Sequence, residues 1–417
     1  MGLGAAGGVS SVGGRPSRST QPMSDMELPC LDLGDWRAGG TSRAAFVAGL
    51  QSACTRPQSG FFYLRVGAAI PSELADGALQ AAAQFFELPL ERKLEIDLQE
   101  SPHYRGFAQL GTETTAATTD LREYVELGDE LVASTGCRGE SETLPPYLRM
   151  GIGPNQWPRV PPQFRNAMTE YFTACRAVAE EVMMGVSAAL DLAPEELARM
   201  YCPSPLGAHV RYKPACYRSR AYADGANVRV ERLSQGLGPH KDFGFLSLLL
   251  QNEVPGLQVQ RASDGVWLSA PPIQGTLVVN LGEMAELVSD GAFVASTHRV
   301  LPPPAGGCAR VSIPVFYNPS LDSVVSPVKL SPRLRKFADL RGASNVVQMD
   351  GTSDNKIVPS YGDNWVKGFA RSQPAWFARH LPDVFARQRE LQPTAVGRVV
   401  ARKANVTSGD AQGGSKL

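Results

Sequence analysis

From residue 208 to about residue 320 the chain is cut into short β-prone runs by Gly, Pro and Asp turns at roughly ten-residue intervals. His209-Val210-Arg211-Tyr212 alternates, and Phe245 to Leu250 is almost continuously apolar. Gly256-Leu257-Gln258-Val259-Gln260, the turn Ser263-Asp264-Gly265, Val266-Trp267-Leu268 and Gly275 to Gly282 follow in the same style. Strands this short and this regularly punctuated close as a sandwich or barrel, so the region is expected to be a jelly roll, a double-stranded β-helix. Helical spacing flanks it. Residues 163–192 run without an internal Pro and read as a long bracing helix, residues 193–200 add a short one, and residues 334–340 and 374–391 repeat the pattern beyond the roll. The expected fold class is therefore α+β, a jelly-roll core flanked by helices.

Ahead of the roll, residues 1–25 are rich in Gly and Ser, carry no acid before Asp25 and cannot bury a core, so they are expected to be disordered or a targeting segment. Residues 26–160 form an N-terminal region of short strands and helices. In it, residues 28–33 and 60–66 read as strands, Thr41 caps a helix over residues 43–54, and Pro71 opens another to about Phe86. Residues 101–128, with Tyr104, Arg105 and a strand-like Arg122 to Leu127, are polar and aromatic enough to line a cleft. The bracing helix, the roll and the last helices occupy residues 161–395, and residues 396–417 form a polar tail. A polar, Arg-rich insertion over residues 218–235 reads as a surface loop or lid.

Net charge is zero and no apolar stretch nears the roughly 20 residues of a spanning helix, so neither a nucleic-acid nor a membrane partner is expected. The seven cysteines are scattered and never spaced Cys-x-x-Cys, which indicates neither a zinc knot nor a disulfide framework. The expected partner is a small-molecule substrate, taken by a monomer.

Chemistry enters at Gly238-Pro239-His240-Lys241-Asp242, where the apolar run begins. Strand side chains two apart share a face, so His240 and Asp242 are expected to project together. A second imidazole would complete a 2-His-1-carboxylate triad, which leaves open positions on a non-haem Fe(II). Of the five histidines, His103 sits in a loop segment, His380 on a late helix, and His209 on a strand face opposite Tyr212. His298, in Ser296-Thr297-His298-Arg299-Val300, is left as the partner. Twelve residues on, Arg310 and Ser312 share a strand face; a buried guanidinium beside a hydroxyl is a fork for a carboxylate.

His-x-Asp, a Pro-Gly-Leu-Gln-Val strand, a Trp after Asp-Gly, Asn-x-Gly-Glu, Ser-Thr-His-Arg-Val and Arg-x-Ser-x-Pro together resemble the isopenicillin N synthase-like branch of the Fe(II)/2-oxoglutarate dioxygenases. The resemblance extends to residues 28–33, 59–66 and 104–106, which follow that branch's order. It implies His240, Asp242 and His298 as iron ligands and Arg310 and Ser312 as the clamp for the distal carboxylate of 2-oxoglutarate. Tyr212 resembles the tyrosine that adds a hydroxyl to the clamp. The implied cofactors are Fe(II), 2-oxoglutarate as cosubstrate and O2. The implied reaction oxidises a small organic substrate by hydroxylation, desaturation or cyclisation while 2-oxoglutarate becomes succinate and CO2. Two alternatives are an Fe(II) oxidase of the same fold that needs no 2-oxoglutarate, and a jelly-roll binding protein without catalysis. The terminal Ser415-Lys416-Leu417 has the form of a peroxisomal address for a eukaryotic cell; otherwise the cytoplasm is expected.

Overall fold

A computed structural model describes residues 28–115, 118–130, 144–203, 206–219, 235–340 and 357–391. The Gly-rich start, most of the Arg-rich insertion and the Ser-Lys-Leu ending lie outside these residues.

Fifteen described strands run in chain order as β1 (Cys30–Asp32), β2 (Phe61–Arg65), β3 (Gly106–Ala108), β4 (Thr114–Thr115), β5 (Thr118–Thr119), β6 (Arg122–Gly128), β7 (His209–Tyr212), β8 (Ala215–Tyr217), β9 (Leu237–His240), β10 (Leu246–Gln251), β11 (Leu257–Gln260), β12 (Trp267–Ser269), β13 (Thr276–Leu281), β14 (His298–Val300) and β15 (Arg310–Asn318). The larger sheet has the order β1-β2-β13-β10-β15-β7-β6-β3, with β8 bridging β15 and β6; the smaller has the order β12-β11-β14-β9. These are the two sheets of the expected roll. The N-terminal region is not a separate layer, since β2 pairs with β13 and β6 pairs with β7 and β8.

The bracing helix spans Phe164–Ala189 and buries Phe164, Met168, Tyr171, Cys175, Val178, Val182 and Val186, a three- and four-residue spacing that keeps one stripe inward. It packs on the outer face of the larger sheet and against the helices Gly40–Cys54 and Ser72–Phe86. Three local departures from the sequence expectations have simple causes. The first long helix starts at Gly40 rather than after a Thr41 cap, because a short helix, Leu33–Ala38, already runs into it through Gly39 at φ 73°. Residues 374–391 divide into Pro374–His380 and Pro382–Leu391, since Pro382 lacks the amide needed to continue the first. A further helix, Tyr361–Ser372, is capped by Ser360, whose hydroxyl accepts from the Asp363 amide.

Where the chain enters β2, Gly60 has φ +68° and a Cβ there would lie 2.0 Å from the Val294 carbonyl oxygen. Gly60→Ala combines a left-handed backbone with a backbone clash. It is expected to destabilise the protein by more than about 2 kcal/mol, read as a lower urea midpoint with an unchanged slope.

Candidate metal centre and active site

His240 closes β9 and His298 opens β14, and the two stand directly opposite each other in the antiparallel ladder of the smaller sheet. Residues so paired share a face and bring their side chains together; the ring centroids are 4.2 Å apart. Asp242 is not on that strand. The chain leaves β9 at His240 and crosses to the larger sheet, reaching β10 at Leu246, so the carboxylate arrives from the connection rather than by strand alternation. Gly244 makes the crossing possible: a Cβ there would meet the Asn318 side chain at 1.9 Å, and that same Asn318 Oδ1 accepts from the Phe245 amide.

The carboxylate divides its duties. Asp242 Oδ2 accepts from Ser247 Oγ at 2.7 Å and from Asn280 Nδ2 at 2.8 Å. Oδ1 lies 3.8 Å from His240 Nε2 and 3.8 Å from His298 Nε2. Each imidazole is oriented through its other nitrogen, with His240 Nδ1 2.8 Å from the Gly238 carbonyl and His298 Nδ1 3.2 Å from the Ser296 carbonyl. That leaves Nε2 of both rings as acceptors facing Oδ1. Burial, then the neighbouring His298, pulls His240 down to about 3, so the ring is neutral as a ligand must be. Burial pushes Asp242 up, but the two imidazoles and the bonds from Asn280 and Ser247 outweigh it and hold the carboxyl below its usual range. Among the described residues this is the one group of three His, Cys, Asp or Glu side chains with ligand atoms all within 4.8 Å. Two imidazoles and one carboxylate on one side of a point, each backed by a second bond, fit Fe(II).

The second half of the site lies on the inner face of the larger sheet. Arg310 is fully buried; Nη1 donates to Ser312 Oγ at 3.1 Å and Nη2 to Gln251 Oε1 at 2.6 Å. Tyr217, not Tyr212, is the tyrosine beside it. Tyr217 pairs with Arg310 across the β8–β15 ladder, and the guanidinium carbon sits 4.9 Å from its ring centroid. Tyr212 pairs with Val315, an odd number of positions from Arg310 and Ser312, so it points to the other face. There it stacks on Phe172 at 4.0 Å and its hydroxyl donates to Asp129 at 2.9 Å. β7 ends at Tyr212 and β8 begins at Ala215, but the register against β15 runs unbroken through Pro214, so Tyr217, five positions beyond Tyr212, lies on the opposite face, beside Arg310.

The sequence matches the profile of the 2OG-Fe(II) oxygenase superfamily over residues 210–319 and that of the N-terminal region of the non-haem dioxygenases in morphine synthesis over residues 28–159. A 2-oxoglutarate-dependent dioxygenase of Gibberella zeae is 34% identical over 88% of this chain and 94% of its own. The chain belongs to the 2OG-Fe(II) oxygenase superfamily. A homoarginine-6-hydroxylase of Glycine max is 32% identical over 68% of this chain and 80% of its own. The solved structure of JOX2 with 2OG, Fe and JA shares the fold at a TM-score of 0.59, with 23% identity over 87% of this chain and 91% of that one. The protein is thus an oxidoreductase that uses Fe(II), 2-oxoglutarate and O2 to oxidise a small molecule.

If the two donors on Oδ2 set the direction of Oδ1, their loss should be felt by the metal. Ser247→Ala and Asn280→Ala are each expected to weaken Fe(II) by about tenfold or more, and the double variant by up to about a hundredfold, measured by anaerobic competition with a chelator.

Proposed function

We propose that this oxygenase holds Fe(II) on His240 Nε2, Asp242 Oδ1 and His298 Nε2, and the distal carboxylate of 2-oxoglutarate on Arg310, with Ser312 and Tyr217 as neutral partners. The observation that carries the reading is the guanidinium itself. Arg310 is fully buried, yet among the described residues no carboxylate pairs with it; its donors go to the neutral Ser312 and Gln251, and Nε has no partner. Burial lowers its pKa, the sign of an uncompensated cation. Leaving such a charge unpaired costs several kcal/mol, and an anionic ligand removes that cost. The same cation supports dependence on 2-oxoglutarate over an oxidase that dispenses with it. The order of the two profile matches, an N-terminal region followed by the roll, supports the finer placement in the isopenicillin N synthase-like branch.

Iron, when bound with 2-oxoglutarate, supplies oxygen activation coupled to decarboxylation, and the oxidised substrate leaves hydroxylated, desaturated or cyclised. The chain binds and orients. Ser247 and Asn280 keep one oxygen of Asp242 turned to the imidazoles. Phe61 packs edge-on against His298 at 5.1 Å and fixes the ring. Phe243, next to Asp242, packs against Tyr361 and Phe369 of the helix Tyr361–Ser372, which sets an aromatic cluster beside the carboxylate.

His240→Ala, Asp242→Ala and His298→Ala are each expected to abolish succinate release. Arg310→Gln is expected to weaken 2-oxoglutarate by about two to three orders of magnitude, the cost of losing a buried charge partner. Ser312→Ala and Tyr217→Phe remove one neutral hydrogen bond each and should cost about tenfold, with Fe(II) affinity nearly unchanged in all three. Wild-type affinity for 2-oxoglutarate in Arg310→Gln would place the clamp elsewhere.

A further inference from the structure

The inner face that carries Arg310 continues into a second group of buried charges. Cross-strand partners share a face, so Tyr217 lies between Arg310 and Arg122, and Arg211 faces the same way as Phe316 and Gly128. Lys213 and Glu126 fall on this face by alternation from Arg211 and Tyr124. It is also the face of Ser247, which holds Asp242.

Four cations meet here with two carboxylates that balance them. Arg122 pairs with Glu113, and Arg211 pairs with Glu126 at 2.5 Å. Arg105, against Gly128, donates only to main-chain carbonyls, those of His103, Tyr104 and Gly151. Lys213 lies between the two acids, Nζ donating to Glu113 at 3.5 Å and 3.9 Å from Glu126, over the Tyr124 ring at 3.8 Å. Burial, with Arg122 and Arg211 close by, outweighs the two acids and brings the ammonium down to about 8. Asp120, the next acid along the wall, is tied to Thr115, Gln235 and the Gly238 amide, and burial raises its carboxyl to about 7. Even with Asp120 ionised, the group has, among the described residues, four positive charges against three negative ones, apart from Arg310. A buried excess of this kind is costly unless a ligand cancels it.

We propose that the primary substrate of this oxygenase is a small organic acid whose carboxylate binds at Lys213, on the wall shared by Arg122 and Arg211. The inference rests on the proposed metal and 2-oxoglutarate site and names what that site oxidises.

The test uses the Fe(II)-loaded enzyme with 2-oxoglutarate, and a panel of aryl, indolyl and alkyl carboxylic acids, each beside its own primary amide. Succinate release without any panel compound, and its loss in His240→Ala, reports on the oxygenase reading separately. At least one acid is expected to raise succinate release about tenfold or more over that background while its amide does not. Lys213→Met should then raise the KM of that acid by about tenfold to a hundredfold and bring the acid-to-amide preference close to one. A general folding defect would lower both members of a pair together and leave the preference intact. With the background turnover present, an amide as effective as its acid, activation by neutral or cationic compounds alone, or silence of every acid overturns the proposal. So does a Lys213→Met enzyme that keeps its preference for the acid, or that loses affinity for 2-oxoglutarate instead.

Discussion

The Asp242 carboxylate presents its two oxygens to two different sheets. Oδ2 is bound by Ser247 of β10 and Asn280 of β13, both from the larger sheet, and Oδ1 faces two imidazoles from the smaller one. One carboxylate therefore ties the two faces of the roll together at the metal position. The arrangement depends on the chain crossing between sheets within a few residues of His240. That crossing in turn needs Gly244, whose missing side chain leaves room for Asn318. Asn318 itself closes β15, the strand that begins with Arg310, so one strand carries both the side chain that Gly244 makes room for and the buried guanidinium.

A roll built this way has an interior that is unusually charged for a protein core. Arg122, Glu126, Arg211 and Arg310 on strands, with Arg105, Glu113, Asp120 and Lys213 from the adjoining connections, are buried together, where full desolvation makes each unpaired charge expensive. Such a wall is poor material for stability and good material for holding anions. The apolar work of the fold is done on the opposite face, where the helix Phe164–Ala189 lies against the sheet and Phe172 stacks on Tyr212. β6 can be buried along its whole length because its acids are paired on both faces, Glu126 with Arg211 on the inner one and Glu123 with Lys93 and Arg218 on the other.

Much of this was legible in the residues. The punctuation of residues 208–320 by turns gave the roll, and the uninterrupted periodicity of residues 163–192 gave the helix, found within three residues at either end. His240 and Asp242 were found by their spacing, although the geometric reason differs, because Asp242 sits in a crossover and not on the strand. His298 was reached by elimination and by its position on a later strand, and it does pair with His240. Tyr217 was missed because the resemblance pointed to Tyr212, whereas the register of β15 against β7 and β8 puts Tyr217, five positions on, on the face of Arg310. The charged wall was missed for another reason. Arg122, Glu126, Arg211 and Lys213 come from strands far apart in sequence, and only the register of β6, β7 and β15 shows that they share a face.

If the triad and Arg310 form one site, the cosubstrate should need both ends at once. Calorimetric titration of 2-oxoglutarate into the protein under anaerobic conditions, with and without Fe(II), measures this directly. The account predicts one 2-oxoglutarate per chain bound tightly with Fe(II) present, and binding weaker by about two orders of magnitude or more without it, since the iron-facing end then has nothing to chelate. Equal affinity in the two titrations would separate Arg310 from the metal and contradict the account.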